Sequence, residues 1–74
     1  LSVTIPFALP DDSPAWIELH DALGRLIQRR EVGSLGPGRH ELSFDRGPGV
    51  PPGLYWVRLR RGAEVLRTSV SLLD

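Results

Sequence analysis

Turn-forming residues interrupt this chain at short and regular intervals, and this feature constrains the fold more than any other. Eight glycines and seven prolines occur among 74 residues, and most of them cluster with aspartate or serine in five stretches. Each stretch is typical of a turn or loop, so only short segments remain between them. The stretches are LPDDSP at 9–14, DALG at 21–24, GSLGPG at 33–38, DRGPGVPPG at 45–53 and RRG at 60–62.

Within the intervening segments, apolar and polar residues alternate with a period of two, and no window holds a helical stripe. Six to seven short strands at turn spacings of about ten residues predict an all-β, antiparallel β-sandwich. We expect residues 1–74 to form it as a single domain. The residues predicted to face the core are Val3, Ile5, Phe7, Leu9, Ala15, Ile17, Leu19, His40, Leu42, Phe44, Tyr55, Val57, Leu59, Leu66, Thr68, Val70 and Leu72.

Three local features refine this prediction. Pro6 lies inside the first strand and cannot donate a ladder hydrogen bond, so that strand is expected at a sheet edge or at a bulge. The segment DALG predicts a type I turn in which the Asp21 side chain caps the turn and Gly24 adopts a left-handed conformation. Arg61 and Gly62 predict a second tight hairpin turn.

The composition excludes several classes of protein. Formal net charge is zero, whereas a nucleic-acid binder carries a basic excess, so we expect no nucleic-acid partner. The chain has no cysteine for a thiolate metal site and no run of about 18 apolar residues for a membrane span. It starts at Leu1 without a methionine, and we expect it to be the processed end of a longer precursor or an excised domain.

The pair His20–Asp21 suggests catalysis at first sight. Adjacent side chains leave a strand on opposite sides, and a catalytic triad also needs a nucleophile that the histidine positions. The serines at 13, 34 and 43 lack any elbow-like motif. We therefore interpret Asp21 as a turn cap beside an exposed histidine. A chain this short also has little room for a concave pocket, so we expect no catalytic residue and no enzyme.

Metal binding has similarly weak support. His40 lies on the apolar face of its strand and is expected as a hydrogen-bonded core or rim residue, because two histidines without ligand spacing make no zinc site. The loop carboxylates Asp11, Asp12 and Asp45 could hold calcium, but they form no spaced acidic repeat. Turn capping is the favoured interpretation, and we expect neither a metal nor a cofactor.

A group of large outward-facing residues is the strongest candidate for an interaction site. Trp16 on one strand, and Trp56, Arg58 and Arg60 on another, alternate away from the predicted core. If the two strands are neighbours, tryptophan and arginine can stack. Both residue types are enriched in interface hot spots. An equally supported alternative to an interaction site is that these residues only pack across neighbouring strands and cover the sheet. Carbohydrate binding through the two tryptophans is a third interpretation.

Three segments carry a likeness to a known family. They are VTIPFALPDDSPAWIELHDALGRLIQ, LGPGRHELSFD and PPGLYWVRLRRGAEVLRTSVSLL, which together cover nearly the whole chain. The sequence resembles the type A C-terminal sorting domain of the type IX secretion system, and the related immunoglobulin-like module of the flagellar hook-cap protein. The residues that match the family's motifs D-x-x-G-R, G-x-H with a later aspartate, and G-x-Y are Asp21, Gly24, Arg25, Gly38, His40, Asp45, Gly53 and Tyr55.

The resemblance implies an immunoglobulin-like antiparallel β-sandwich of seven strands at the end of secreted cargo. In the family this domain is read by outer-membrane secretion machinery and is often removed when the cargo is anchored to the cell surface. The resemblance also implies that Arg25 and the final strand carry recognition. Family members often end with lysine or arginine, whereas this chain ends at Asp74. The expected function is a non-catalytic sorting and anchoring module, extracellular or at the cell surface, with a protein partner.

A second hypothesis is structural. An edge-type first strand and an outward aromatic–arginine face also suit a β-sandwich subunit of an extracellular filament or surface assembly. Such sandwiches polymerise by strand-edge contacts or by lending a strand to the neighbouring sheet. A head-to-tail contact that does not close produces a filament, so identical subunits are the alternative partner.

Overall fold

The computed structural model describes residues 2–45 and 50–72, and these residues form six strands and one 3-10 helix. The length of each segment between turns limits each strand to six to nine residues. The elements are β1 (Ser2–Leu9), β2 (Ala15–Asp21), β3 (Leu26–Glu31), the 3-10 helix (Gly33–Leu35), β4 (Gly38–Asp45), β5 (Gly53–Arg61) and β6 (Glu64–Leu72).

The strands form two antiparallel sheets that pack on each other. One sheet has four strands in the order β3-β2-β5-β6, and the other pairs β1 with β4. This arrangement confirms the predicted all-β sandwich. Pro6 lies opposite Glu41 within an unbroken β1–β4 register, so the proline-containing strand is at an edge, as expected, and has no bulge.

The core lies between the facing sides of the two sheets, where most of the predicted inward positions are confirmed. Apolar side chains alternate inward along each strand because successive residues point to opposite faces of a sheet. Side chains of residues 2, 3 and 45 lie outside the described part. The buried apolar residues are Ile5, Leu9, Ala15, Ile17, Leu19, Val32, Phe44, Val50, Tyr55, Val57 and Leu72.

The prediction for the last strand is wrong over most of its length. Leu66 and Thr68 are exposed, Leu66 by 59%, and only Leu72 of the four predicted residues is buried, with Val70 partly buried. These residues do share a face with the core side of β5. A two-stranded sheet is too narrow to cover four strands, so part of that face has nothing opposite it.

The hairpin between β5 and β6 has the predicted tight turn. Arg61 lies opposite Glu64, which leaves Gly62 and Ala63 as a two-residue loop. Gly62 has a φ of 59°, and no residue other than glycine in the described part has a positive φ, which matches a type II′ turn. No helix in residues 2–45 and 50–72 has the length and apolarity needed to cross a membrane.

Candidate interaction site

The corner between β2 and β3 has the predicted turn geometry. Gly24 has a φ of 89° and its N–H donates to the Asp21 carbonyl at 3.0 Å, which closes the turn. One extra β3 residue then enters the ladder, because Leu19 lies opposite Gln28 but His20 lies opposite Leu26. A turn closed by a left-handed glycine and followed by a bulge is a common hairpin connection.

Asp21 holds this corner through both of its carboxylate oxygens. Its Oδ1 accepts hydrogen bonds from the backbone N–H groups of Leu23 at 3.0 Å and Arg25 at 2.8 Å. Its Oδ2 accepts one from Arg25 Nε at 2.8 Å. The backbone N–H of Arg25, followed by its side chain, holds the pKa of Asp21 below the ordinary value.

Both the backbone and the side chain of Arg25 are therefore held in place by Asp21. Its side chain is 77% exposed, while the Asp21 side chain beneath it is only 14% exposed. One edge of the guanidinium is bound to Asp21 through Nε, which leaves the two terminal NH₂ groups to other acceptors. The family resemblance implies a recognition role for Arg25, and the corner leaves its side chain exposed to solvent.

The prediction that His20 is exposed is wrong. The residue is only 9% exposed, and its Nε2 lies 3.0 Å from Oε1 of Glu18, which is also buried. Its Nδ1 lies 3.2 Å from the Gly24 carbonyl oxygen. Because β2 is an inner strand, side chains of β3 and β5 cover its outward face as well. Both ring nitrogens are thus engaged, and neither is directed at a nucleophile.

His40 is the hydrogen-bonded rim residue that the sequence predicts. Its Nε2 lies 2.8 Å from the Gly36 carbonyl oxygen, and its ring packs against Phe7 with the centroids 5.5 Å apart. Asp11 accepts a hydrogen bond from the Ser13 backbone N–H at 3.0 Å, which lowers the pKa of its carboxyl group. Within the described part of the chain, no three metal-ligating side chains are grouped.

The remaining motif residues serve the fold. Gly38 begins β4 and Gly53 begins β5, while Asp45 ends β4 with a side chain outside the described part. The buried Tyr55 donates its hydroxyl hydrogen to the Pro51 carbonyl oxygen. This bond attaches the loop before β5 to the core, because a buried phenol needs an acceptor.

The outward side of the four-stranded sheet brings the other predicted residues together. Strands β2 and β5 are neighbours, and the pairs Trp16–Arg60, Glu18–Arg58 and His20–Trp56 lie opposite each other. Opposite residues of an antiparallel pair point to the same side of the sheet. The flanking strands place two more arginines on this side of the sheet, because Arg29 of β3 lies opposite Glu18 and Arg67 of β6 lies opposite Arg58.

The stacking partners differ from the predicted ones. Arg29 of β3 lies over the Trp16 ring at 4.8 Å, and Arg67 of β6 lies over the Trp56 ring at 4.7 Å. The predicted arginines of β5 stack on neither ring in this way. Reasoning from the sequence missed Arg29 and Arg67 because their positions depend on strand order and register. No local signal in the sequence indicates these two positions, because β3 has two adjacent arginines and β6 has only Arg67.

Glu18 lies at the centre of these cations. Its Oε2 is 3.8 Å from Arg60 Nη1, in addition to the contact with His20. Arg58 Nε is buried and has no hydrogen-bond partner in the described part of the protein. A depression of about 350 Å³ opens beside Glu18. Its walls are Pro14, Trp16, Glu18, Arg29, Arg60 and Gly62.

Comparisons of the chain with protein-family models, with curated proteins and with solved structures find no match.

Proposed function

We propose that the chain is a non-catalytic sorting and anchoring module of a secreted or cell-surface protein. The observation that carries the proposal is the corner at Asp21 and Arg25. The carboxylate of Asp21 fixes the backbone and orients the guanidinium of Arg25, so that an exposed cation projects from a rigid turn. A pre-ordered side chain loses less conformational entropy when a partner binds it.

The final strand supports the same proposal. Strand β6 pairs only with β5 among the described strands, so its other edge is open to a partner strand. In a two-residue hairpin the residues that flank the turn exchange both hydrogen bonds, and the pattern then alternates. Counting from Glu64, the N–H groups of Arg67 and Ser69 point to the free edge.

A reporter fusion tests the proposal. We expect residues 1–74 to direct export of the reporter in a host with a type IX secretion system, and not in a strain that lacks the system. Arg25→Gln should reduce export, because it removes the cation. Ser69→Pro should also reduce it, because proline removes a free-edge donor while edge positions tolerate proline.

The control variant is Arg39→Gln, which changes an exposed arginine of β4 and should leave export unchanged. Thermal unfolding of each isolated variant separates a recognition defect from a folding defect. Export that persists without the type IX system, or that neither Arg25→Gln nor Ser69→Pro reduces, contradicts the sorting function.

A structural subunit is the second candidate, and a specific groove favours it. An apolar seam of about 380 Å³ lies between β1 and β6, where the two-stranded sheet ends. Exposed Leu66 and Thr68 line it together with the half-buried Phe7. A strand from a neighbouring copy would cover these side chains and pair with the edge of β6.

Sedimentation velocity over a range of concentrations tests this candidate. A filament subunit should form larger species as concentration rises, and Leu66→Arg should suppress them by placing a charge in the apolar seam. Arg39→Gln is again the matched control, since it lies in the other sheet. A single monomeric species at high concentration contradicts the filament function and leaves the sorting function standing.

A further inference from the structure

We propose that the outer face of the four-stranded sheet binds an acidic segment of a protein partner. This outer face is the side of that sheet turned away from the core. The inference does not rest on the sorting function, since it concerns neither Arg25 nor the backbone N–H groups at the free edge of β6. The residues that carry it are Trp16, Glu18, Arg29, Trp56, Arg58, Arg60 and Arg67.

Charge is distributed unevenly over a chain with no net charge. Four of the nine basic residues lie on the outer face, where register also places Glu18 and Glu31. Glu31 is occupied by Ser34, whose backbone N–H and hydroxyl group donate to it at 2.8 and 2.6 Å. Glu18 is occupied by His20 and Arg60.

Three arginines of the outer face thus have no carboxylate partner within the described part of the chain. The guanidinium groups of Arg29 and Arg67 lie over the tryptophan rings, and among the described residues the buried Nε of Arg58 has no hydrogen-bond partner. Like charges this close repel one another, and an added anion relieves that repulsion. The complementary ligand is therefore anionic.

Two of these cations lie over tryptophan rings, with the Cζ atoms of Arg29 and Arg67 at 4.8 and 4.7 Å from the ring centroids. A guanidinium stacked on a ring uses its flat side, so its N–H donors point sideways in the plane of the group. That plane matches a carboxylate, which accepts two parallel hydrogen bonds. The same stacking covers one side of each ring, so the tryptophans offer less open platform for a sugar. This favours an acidic peptide over an acidic glycan.

Exposed apolar residues on the same face point to a protein partner. Seven large apolar residues of the described chain are exposed, and by register four of them share the outer face: Trp16, Leu26, Leu54 and Val65. Tryptophan and arginine are the residue types enriched in binding hot spots. Apolar area interleaved with arginine suits a segment in which leucine or valine accompanies aspartate or glutamate.

Fluorescence anisotropy with the full 74-residue chain tests this inference. The probe is a fluorescein-labelled peptide of glutamate and leucine, compared with a peptide of the same length in which lysine replaces glutamate. We expect the acidic peptide to bind and the basic one not to bind. Loss of a hydrogen bond between charged groups weakens binding roughly tenfold or more, so Arg58→Gln and Arg67→Gln should each show that effect.

Two further variants make the test specific. Arg67→Lys keeps the charge but loses the planar fork, so it should also weaken binding. Arg39→Gln removes an exposed arginine of the other sheet and should leave the affinity unchanged. The inference is overturned if the acidic peptide does not bind, or if Arg39→Gln weakens it as much as Arg67→Gln does.

A polygalacturonate competitor separates the two anionic classes. We expect it to displace the acidic peptide only weakly. If it binds more tightly than the peptide and shows the same dependence on Arg58 and Arg67, the partner is an acidic glycan and the protein-segment proposal is wrong. Because the assay measures binding and not export, its failure is independent of a failure of the sorting function.

Discussion

Strands β2 and β6 belong to the same sheet and have the same alternation of apolar and polar residues, yet their burial is nearly opposite. In β2 five of seven residues are buried, including the outward-facing Glu18 and His20. In β6 only Leu72 is buried among nine residues. The two strands differ in position, because β2 lies between two neighbours and β6 lies at an edge.

This difference shows that the face of the sheet on which a side chain lies and the burial of that side chain are separate properties, and that an alternating pattern does not distinguish them. Alternation determines which side chains share a face of the sheet. Burial depends in addition on whether another layer covers that face, and on whether neighbouring strands cover it from the sides. The inner face of β2 packs on β1 and β4, whereas the inner face of β6 borders the open seam at Leu66 and Thr68.

The largest expected effect comes from removing an inward side chain of β2. Ile17→Ala should lower the free energy of unfolding by about 2–5 kcal/mol, because it deletes a side chain that is almost fully buried. This loss is a large part of the whole free energy of unfolding, which is about 4–11 kcal/mol for a domain of this size. Urea unfolding followed by tryptophan fluorescence measures it.

The matched change in β6 is Leu66→Ala. Both residues face the core side of the same sheet, but Leu66 has solvent on one side, so the expected loss is below about 0.5 kcal/mol. Equal losses for the two variants would contradict the comparison. A loss of several kcal/mol for Ile17→Ala beside a loss below about 0.5 kcal/mol for Leu66→Ala would agree with it.

The next effect concerns an outward side chain. Glu18→Ala should cost about 1–3 kcal/mol, because it leaves the buried ring of His20 and the cations around it without their acceptor. The counterpart in β6 is Ser69→Ala, an exposed outward position, with an expected change within about 0.5 kcal/mol. If Glu18→Ala is as mild as Ser69→Ala, the outward face of β2 is more hydrated than its burial indicates.

Most of the fold could be predicted from the sequence, because its signals are local. Glycine and proline spacing predicts the turns, and the period of two predicts strands and their faces. The corner at Asp21 and Gly24 was predicted correctly, since a capping aspartate and a left-handed glycine act within a few residues. What local signals do not contain is the order of the strands, and burial of Leu66 depends on that order.

The candidate site was predictable only in part for the same reason. Trp16, Trp56, Arg58 and Arg60 follow from alternation within single strands. The stacked arginines come from β3 and β6, and the sequence has no local signal that brings position 29 near Trp16 or position 67 near Trp56. His20 was expected in solvent because its own strand does not reveal the side chains that neighbouring strands place beside it.

The smallest expected effect is a pH-dependent one at the ends of the two strands. Asp21 ends β2, and its hydrogen bonds with Arg25 lower its pKa in the folded state. A carboxyl group whose pKa falls on folding stabilises the fold above its unfolded pKa and loses this contribution as pH drops through the lowered value. Asp21→Asn should therefore destabilise the domain at about pH 7, and the difference from the natural chain should shrink as pH falls below about 4. The pKa values of Asp11 and Glu31 are also lowered, but their contributions to the pH dependence cancel in this difference because both chains retain them.

Thermal melts over this pH range measure the difference in stability. The control variant is Glu64→Gln at the start of β6. The Glu64 carboxylate is more than half exposed, so its ion pair with Arg61 contributes little. A difference for Asp21→Asn that stays constant with pH would mean that Asp21 acts through its shape and not its charge.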